Sequence, residues 1–206
     1  MLSTTISIII PTYNRIEKLK ICLYKLGNQS VPLSNLEIII IDDGSTDETK
    51  SIITETQKTI PITYIYQDNL GPAAARNKGI RSAKGDILLL LGDDVYPEKR
   101  LVEYHLDWHK QYSNPGDAVL GLIEWEPSLD ITSLMKYVNR GPQFAYQRIK
   151  DIHNAGYPYF YSSNISLKKS FLLENGLFDE DFKKAACEDT ELGYRLEQKG
   201  LKIHFC

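Results

Sequence analysis

Twice in this sequence an apolar run drops straight into a pair of aspartates. Ile38-Ile39-Ile40-Ile41 leads into Asp42-Asp43-Gly44-Ser45, and Ile87-Leu88-Leu89-Leu90-Leu91 leads into Gly92-Asp93-Asp94. Short apolar runs closed by turn residues read as parallel strands buried on both faces. The carboxylates then stand at the carboxyl ends of neighbouring strands, where open α/β sheets place their ligands. Four acids gathered there repel one another unless something cationic or hydrogen-bonding joins them, and a divalent metal with a nucleotide would do so. A carboxylate at the end of the first run, Asp42 or Asp43, can accept a base N–H or bond a ribose hydroxyl. Ser45, Thr46 and Asp47 equally suit a helix N-cap. Gly92-Asp93-Asp94 offers oxygen ligands only, which suits Mg²⁺ or Mn²⁺ completed by water and phosphate; the competing reading is a solvated acidic turn.

Three further stretches carry chemistry. Pro11-Thr12-Tyr13-Asn14-Arg15 exposes hydroxyls and an aromatic face for stacking on a base, or is only a turn into a helix. Gly71-Pro72-Ala73-Ala74-Ala75-Arg76-Asn77-Lys78-Gly79 opens a helix whose amino terminus favours anions. Arg76 or Lys78 could there reach a diphosphate, while the alanines would equally make a small face packed close to the sheet. Cys187-Glu188-Asp189-Thr190-Glu191-Leu192 opens the last helix. Acids there meet the helix dipole favourably, and one could act as a general base, worth roughly 10²–10⁴ in rate.

The elements that would position these residues alternate. Strands are expected at 6–10, 36–41, 62–66, 87–91 and 118–123. Helices are expected over 15–28, with Leu19, Cys22, Leu23 and Leu26 on one face, and over 47–56, where Ser45 and Glu48 have capping-box spacing. Another follows over 73–83 with proline in its first turn, and another starts at Pro97 with Leu101, Tyr104 and Trp108 on one face. This order implies an α/β fold with a mainly parallel, doubly wound sheet. After Pro127 the pattern loosens: residues 129–153 hold helical stretches broken at Gly141-Pro142, and strand character resumes at 159–167. A helix over 188–199 ends at Gly200, and a last strand spans 202–205. One domain is expected, with residues 1–95 binding one ligand and 96–206 shaping a second site.

Bulk composition narrows the classes. The 206 residues are 42% hydrophobic and 25% charged, which argues against disorder. A formal net charge of −3 supplies no basic field for nucleic acid. No apolar run reaches the ~20 residues of a membrane span, and the first residues lack a signal peptide's basic and apolar regions. Cys22, Cys187 and Cys206 fit a reducing cytoplasm and give no zinc spacing. The thirteen tyrosines cluster in the second half. Trp125, Tyr137, Phe144, Tyr146, Tyr157, Tyr159, Phe160 and Tyr161 would form either an acceptor shelf or a small hydrophobic cluster.

Taken in order, the Pro11, Asp42, Gly71 and Gly92 runs, with Gly176-Leu177-Phe178-Asp179-Glu180 and Glu188-Asp189-Thr190-Glu191-Leu192-Gly193-Tyr194-Arg195-Leu196, resemble family 2 glycosyltransferases over nearly the whole chain. The resemblance implies a GT-A fold and an inverting, metal-dependent transfer of a sugar from a nucleotide-diphosphate donor, UDP-linked first among candidates, to a glycan or lipid-linked acceptor. By the same resemblance Pro11, Thr12 and Tyr13 line the base pocket, Asp43 or Asp42 holds the uracil, and Arg76 lies near base and phosphates. Asp93 faces the donor ribose or sugar and Asp94 binds Mg²⁺ or Mn²⁺. Asp189 looks like the catalytic base, Glu188 orients donor or acceptor, and Trp125 belongs to the acceptor side. The family's commonest roles point to cell-envelope polysaccharide synthesis in the cytoplasm, with peripheral membrane association through the acceptor. In the usual D-x-D triplet the first place is aspartate, and here it is Gly92. The chain stops at Cys206, where many relatives continue with a histidine that completes the metal site, which suggests a trimmed or minimal catalytic domain. A sugar-nucleotide nucleotidyltransferase would need a glycine-rich basic loop after the first strand, which Pro11-Thr12-Tyr13-Asn14 is not. A non-catalytic sugar-binding relative would not need both Asp94 and Asp189.

Overall fold

A computed structural model of the chain describes residues 6–140, 144–185 and 187–206. Its seven strands are β1 (Ile6–Thr12), β2 (Leu36–Asp42), β3 (Ile62–Tyr66), β4 (Ile87–Leu91), β5 (Asp117–Leu120), β6 (Asn164–Lys168) and β7 (Lys202–Phe205). Its helices are α1 (Ile16–Leu26), α2 (Thr49–Thr56), α3 (Pro72–Ser82), α4 (Leu101–Gln111), α5 (Ser133–Arg140), α6 (Lys169–Asn175) and α7 (Glu188–Glu197). The strands form one sheet in the order β3-β2-β1-β4-β6-β5-β7. All neighbours run parallel except β6, which is antiparallel to both β4 and β5.

The apolar runs are continuous because both faces of each central strand are covered, and side chains alternate between them. Ile9, Ile39, Ile41, Leu88 and Leu90 face one core with α3, α6 and α7, through Ala73, Ala75, Phe171, Leu192 and Leu196. Ile8, Ile10, Ile38, Ile40, Leu89 and Leu91 face the other core with α1 and α2, through Leu19, Leu23, Leu26 and Ile53. The small face of α3 is a close-packing device: a Cβ at Gly79 would sit 2.5 Å from Ile9 Cγ2 and 2.6 Å from Ile41 Cδ1.

Three expectations need correction. The helix expected from Pro97 begins at Leu101, and its buried residues are Val102, His105 and His109 rather than Leu101, Tyr104 and Trp108. Its inner face is held by hydrogen bonds: His105 bonds Ser166 Oγ at 2.8 Å and Asn164 Oδ1 at 3.0 Å, and His109 bonds Ser166 Oγ at 2.9 Å. The Ser45–Glu48 capping box does not form, and α2 starts at Thr49. Ser45 Oγ instead accepts from Asn14 N, while Asp47 Oδ1 accepts from Thr49 N and its hydroxyl. The stretch 159–167 becomes a strand only at Asn164, and α6 follows it directly, which the periodicity did not reveal. The break expected at Gly141-Pro142 lies outside the described residues. Among those residues, no helix is long and apolar enough to cross a membrane.

Candidate active site

The chain reverses its walk across the sheet at β1, which has β2 on one side and β4 on the other. That switch point opens a crevice at the carboxyl ends of the strands, and the aspartate pairs lie there, as their sequence position requires.

The first pair is satisfied by the protein itself. Asp42 is 1% exposed, accepting from Ser45 N at 2.8 Å and from the Tyr64 hydroxyl at 2.6 Å. Asp43 is 5% exposed and accepts from Gln67 Nε2, Leu70 N and Gly71 N at 2.7–2.9 Å. Asp43 therefore shapes the loop that leads into α3. Gly71 turns that loop at φ +96°, and a Cβ there would sit 2.6 Å from Lys183 O. Asn14, with φ +51°, clamps the neighbouring loop: its Oδ1 accepts from Thr46 N at 2.8 Å and Asp47 N at 3.3 Å. Tyr13 stays exposed beside it and Pro11 is half-buried.

The second pair has a cation. Arg15 donates to Asp93 Oδ1 at 3.0 Å and to Asp94 Oδ2 at 2.6 Å. Thr12 Oγ1 donates to Asp93 Oδ2 at 2.8 Å and so ties the ends of β1 and β4 together. Asp93 is buried, and burial pushes its carboxyl up to about 6, against the opposing pull of Arg15 and Thr12. The Asp94 and Arg15 side chains are 46% and 47% exposed, open to a ligand. Glycine suits position 92 because a Cβ there would meet Asp94 Oδ1 at 3.0 Å. Arg15 stood within a singled-out run, but sequence reasoning gave it no role. Its signal was a cation directly after Asn14 in a chain whose acids gather at the same edge.

The third acidic site lies at the start of α7. Arg76, from α3, donates to Glu188 Oε1 at 3.1 Å; Glu188 is buried and the Arg76 side chain is 13% exposed. The Arg76 guanidinium also lies over the Phe178 ring, 5.3 Å from its centroid. The Arg76 guanidinium is thus engaged by α7 and Phe178, whereas Arg15 is the cation on Asp93 and Asp94. Asn77, the next residue, pairs both backbone polar groups of Phe178, with Nδ2 donating to its O and Oδ1 accepting from its N. Asp189 Oδ2 accepts from Ser162 N at 2.8 Å and from its hydroxyl at 2.9 Å, whereas Oδ1 is buried with no hydrogen-bond partner among the described residues. Burial raises the Asp189 carboxyl above the ordinary range; Arg76 and Ser162 oppose that rise and Glu188 adds to it. Such a carboxylate has an increased appetite for a proton. Ser162 was invisible in the sequence, since nothing local relates position 162 to position 189.

The second-half aromatics divide. Phe144, Tyr146, Tyr159 and Tyr161 pack on one another, and Tyr146 stacks on Phe205 with centroids 5.0 Å apart. Trp125 and Tyr137 stay exposed. Among the described residues, no group of three or more His, Cys, Asp or Glu is arranged to hold a metal by itself. Asp93 and Asp94 fit a hard cation that draws the rest of its shell from water and phosphate.

A family model described as glycosyl transferase family 2 matches residues 7–162. The validoxylamine A glucosyltransferase of Streptomyces hygroscopicus subsp. jinggangensis is 32% identical over 96% of this chain and 52% of its own length. The chain spans about half the length of the curated relatives it matches first. S. aureus TarS, solved in complex with UDP-GlcNAc, superposes with a TM-score of 0.77 at 19% identity, covering 98% of this chain and 56% of that one. A mannosyltransferase from Pyrobaculum calidifontis, solved with GDP-Man and Mn²⁺, gives a TM-score of 0.74 at 20% identity, covering 98% and 54%. These likenesses bear out the α/β, GT-A fold expected above.

Proposed function

This chain belongs to glycosyl transferase family 2, and on that premise we propose that it transfers a sugar, with inversion, from a nucleoside-diphosphate donor to a hydroxyl of a glycan or lipid-linked acceptor. The observation that carries this reading is Asp189: a carboxylate raised by burial, held through one oxygen, with the other given no donor by the described residues. A carboxylate with a raised affinity for protons and an uncommitted oxygen is suited to take a proton from an alcohol brought within hydrogen-bond reach.

In this reading the donor lies across the ends of β1, β2 and β4. Pro11, Thr12 and Tyr13 flank the base, Asp43 or Asp42 receives the base N–H, and Arg76 and Asp93 complete the donor side. Asp94 would hold a Mg²⁺ or Mn²⁺ ion, which supplies neutralisation of the charge on the departing diphosphate. Arg15 already presents positive charge to the same two carboxylates. Asp189 takes the acceptor proton as the acceptor oxygen attacks the anomeric carbon opposite the diphosphate. The bond to the diphosphate breaks with its electron pair, and the anomeric centre inverts without a covalent intermediate. Glu188 and the exposed Trp125 lie on the acceptor side. UDP-N-acetylglucosamine and UDP-glucose are the first donors to try, because TarS was solved with UDP-GlcNAc and the Streptomyces relative is a glucosyltransferase. The acceptor side is the route to a membrane surface and to cell-envelope glycans, reached from the cytoplasm.

The test is a thermal-shift screen of UDP-, GDP- and dTDP-sugars with and without Mn²⁺, since ligand binding raises apparent stability. One nucleotide class with Mn²⁺ is expected to raise Tm, and excess chelator to remove most of the rise. No shift with any of them contradicts the proposal.

A further inference from the structure

Asp189 sits on α7, yet its geometry is decided by a segment elsewhere in the chain. Residues 157–163 cross from the irregular connection into β6 and pass close to α7. The approach depends on Gly193, one turn beyond Asp189, where a Cβ would lie 2.6 Å from Phe160 Cβ and 2.9 Å from Tyr157 O. Ser162, itself 2% exposed, then donates twice to the same carboxylate oxygen, from backbone N at 2.8 Å and from Oγ at 2.9 Å. The next residue faces the other way: Gly92 N donates to Ser163 O at 3.1 Å. Two consecutive residues therefore hold the donor turn and the third acidic site. Their mount is firm, because Asn164 begins β6 and its side chain bonds buried His105.

We propose that Ser162 is a positioning residue for the transfer: it commits Asp189 Oδ2 and leaves Oδ1 to take the acceptor proton, in register with the donor turn held by Ser163. The inference rests on the proposed role of Asp189 as base. In the step, the acceptor O–H bond breaks and its proton passes to Oδ1. The acceptor oxygen bonds the anomeric carbon, and the pair of the breaking C–O bond leaves on the diphosphate. Two donors on Oδ2 keep the carboxylate from rotating and favour its ionised form. A buried acceptor without a donor is uncommon, and here it is the oxygen that the chemistry needs. The charged groups facing Asp189 are Arg76 and Glu188.

The test compares wild type with Ser162→Ala, which keeps the backbone donor and loses the hydroxyl. The readout is transfer from UDP-glucose or UDP-N-acetylglucosamine to water with Mn²⁺, together with the ¹³C carboxyl titration of Asp189, assigned by its loss in Asp189→Asn. Removing a hydrogen bond to a charged group is expected to lower kcat roughly tenfold, leave KM for the donor unchanged, and move both the Asp189 titration and the acidic limb of the kcat profile to higher pH. Ser162→Thr, which retains the hydroxyl, is expected to recover activity that its isostere Ser162→Val does not. That pair also serves if Ser162→Ala fails to fold. An unmoved titration, or equal activity in the threonine and valine variants, overturns the proposal while leaving Asp189 as base. Full turnover in Asp189→Asn overturns the base reading and this proposal with it.

Discussion

Two sites in this molecule are built from an acid pair and one arginine, and they differ in what the arginine leaves over. At the end of β4, Arg15 binds both Asp93 and Asp94, and Arg15 and Asp94 are open to solvent. At the start of α7, Arg76 binds Glu188, the glutamate buried and the arginine nearly so, and Asp189 is passed to Ser162. An exposed arginine on two carboxylates is a weak, exchangeable counter-charge, suited to a place where a cation and a diphosphate come and go. A buried arginine–glutamate pair is costly to break, so it fixes the position of the acid beside it. The first arrangement binds; the second holds one carboxylate still for proton transfer.

This contrast can be broken by substitution. The largest effect is expected from Asp189→Asn, which keeps the shape and removes the base. Turnover falls roughly 10²–10⁴-fold while nucleotide-sugar affinity in a calorimetric titration stays near wild type. Wild-type turnover would make the two sites equivalent and remove the distinction. Next is Arg76→Ala, which takes the guanidinium away from buried Glu188. A loss of about 3–5 kcal/mol in stability is expected by denaturant unfolding, and Arg76→Ala combined with Glu188→Gln recovers part of it. A third, smaller effect tests whether the buried polar groups of the second half are as closed as the α7 site. Burial pushes His105 down to about 4 and His109 down to about 3, whereas an unfolded histidine titrates near 6.5. Between about 6.5 and 4 the unfolded chain therefore binds more protons, so stability falls as pH falls through that window. Unfolding curves across that range should show it, and His109→Gln should flatten the dependence; an unchanged slope would mean that acid reaches the network without unfolding it. The smallest effect is expected from Arg15→Ala: about 1 kcal/mol or less in stability, checked by Tm. A loss as large as that of Arg76→Ala would erase the difference between the two arginines.

The halves of the chain were unequally legible in the sequence. β3 and β4 match their expected bounds and β1 and β2 run one or two residues longer, because a strand covered on both faces must be apolar at every position. The buried face of α1 was readable for a related reason, since Leu19, Cys22, Leu23 and Leu26 repeat at helical spacing. The face of α4 was not, because its inner side is His105 and His109 bonded to Ser166 and Asn164, and a polar interior leaves no hydrophobic period to detect. The capping box failed because Ser45 had a better partner in Asn14, a residue from another loop.

The sequence by itself determined the sheet core, the alternation of strand and helix, and the placing of Asp42-Asp43 and Asp93-Asp94 at strand ends. Those are local consequences of residue period and turn chemistry. Only the tertiary structure decided how the acids are divided. It brought Arg15 to one pair, gave the other pair its own donors, and set Ser162 on Asp189 across 27 positions. Such pairings follow from which loops meet at the sheet edge, and hydrogen bonds between distant segments leave no periodic trace along the chain.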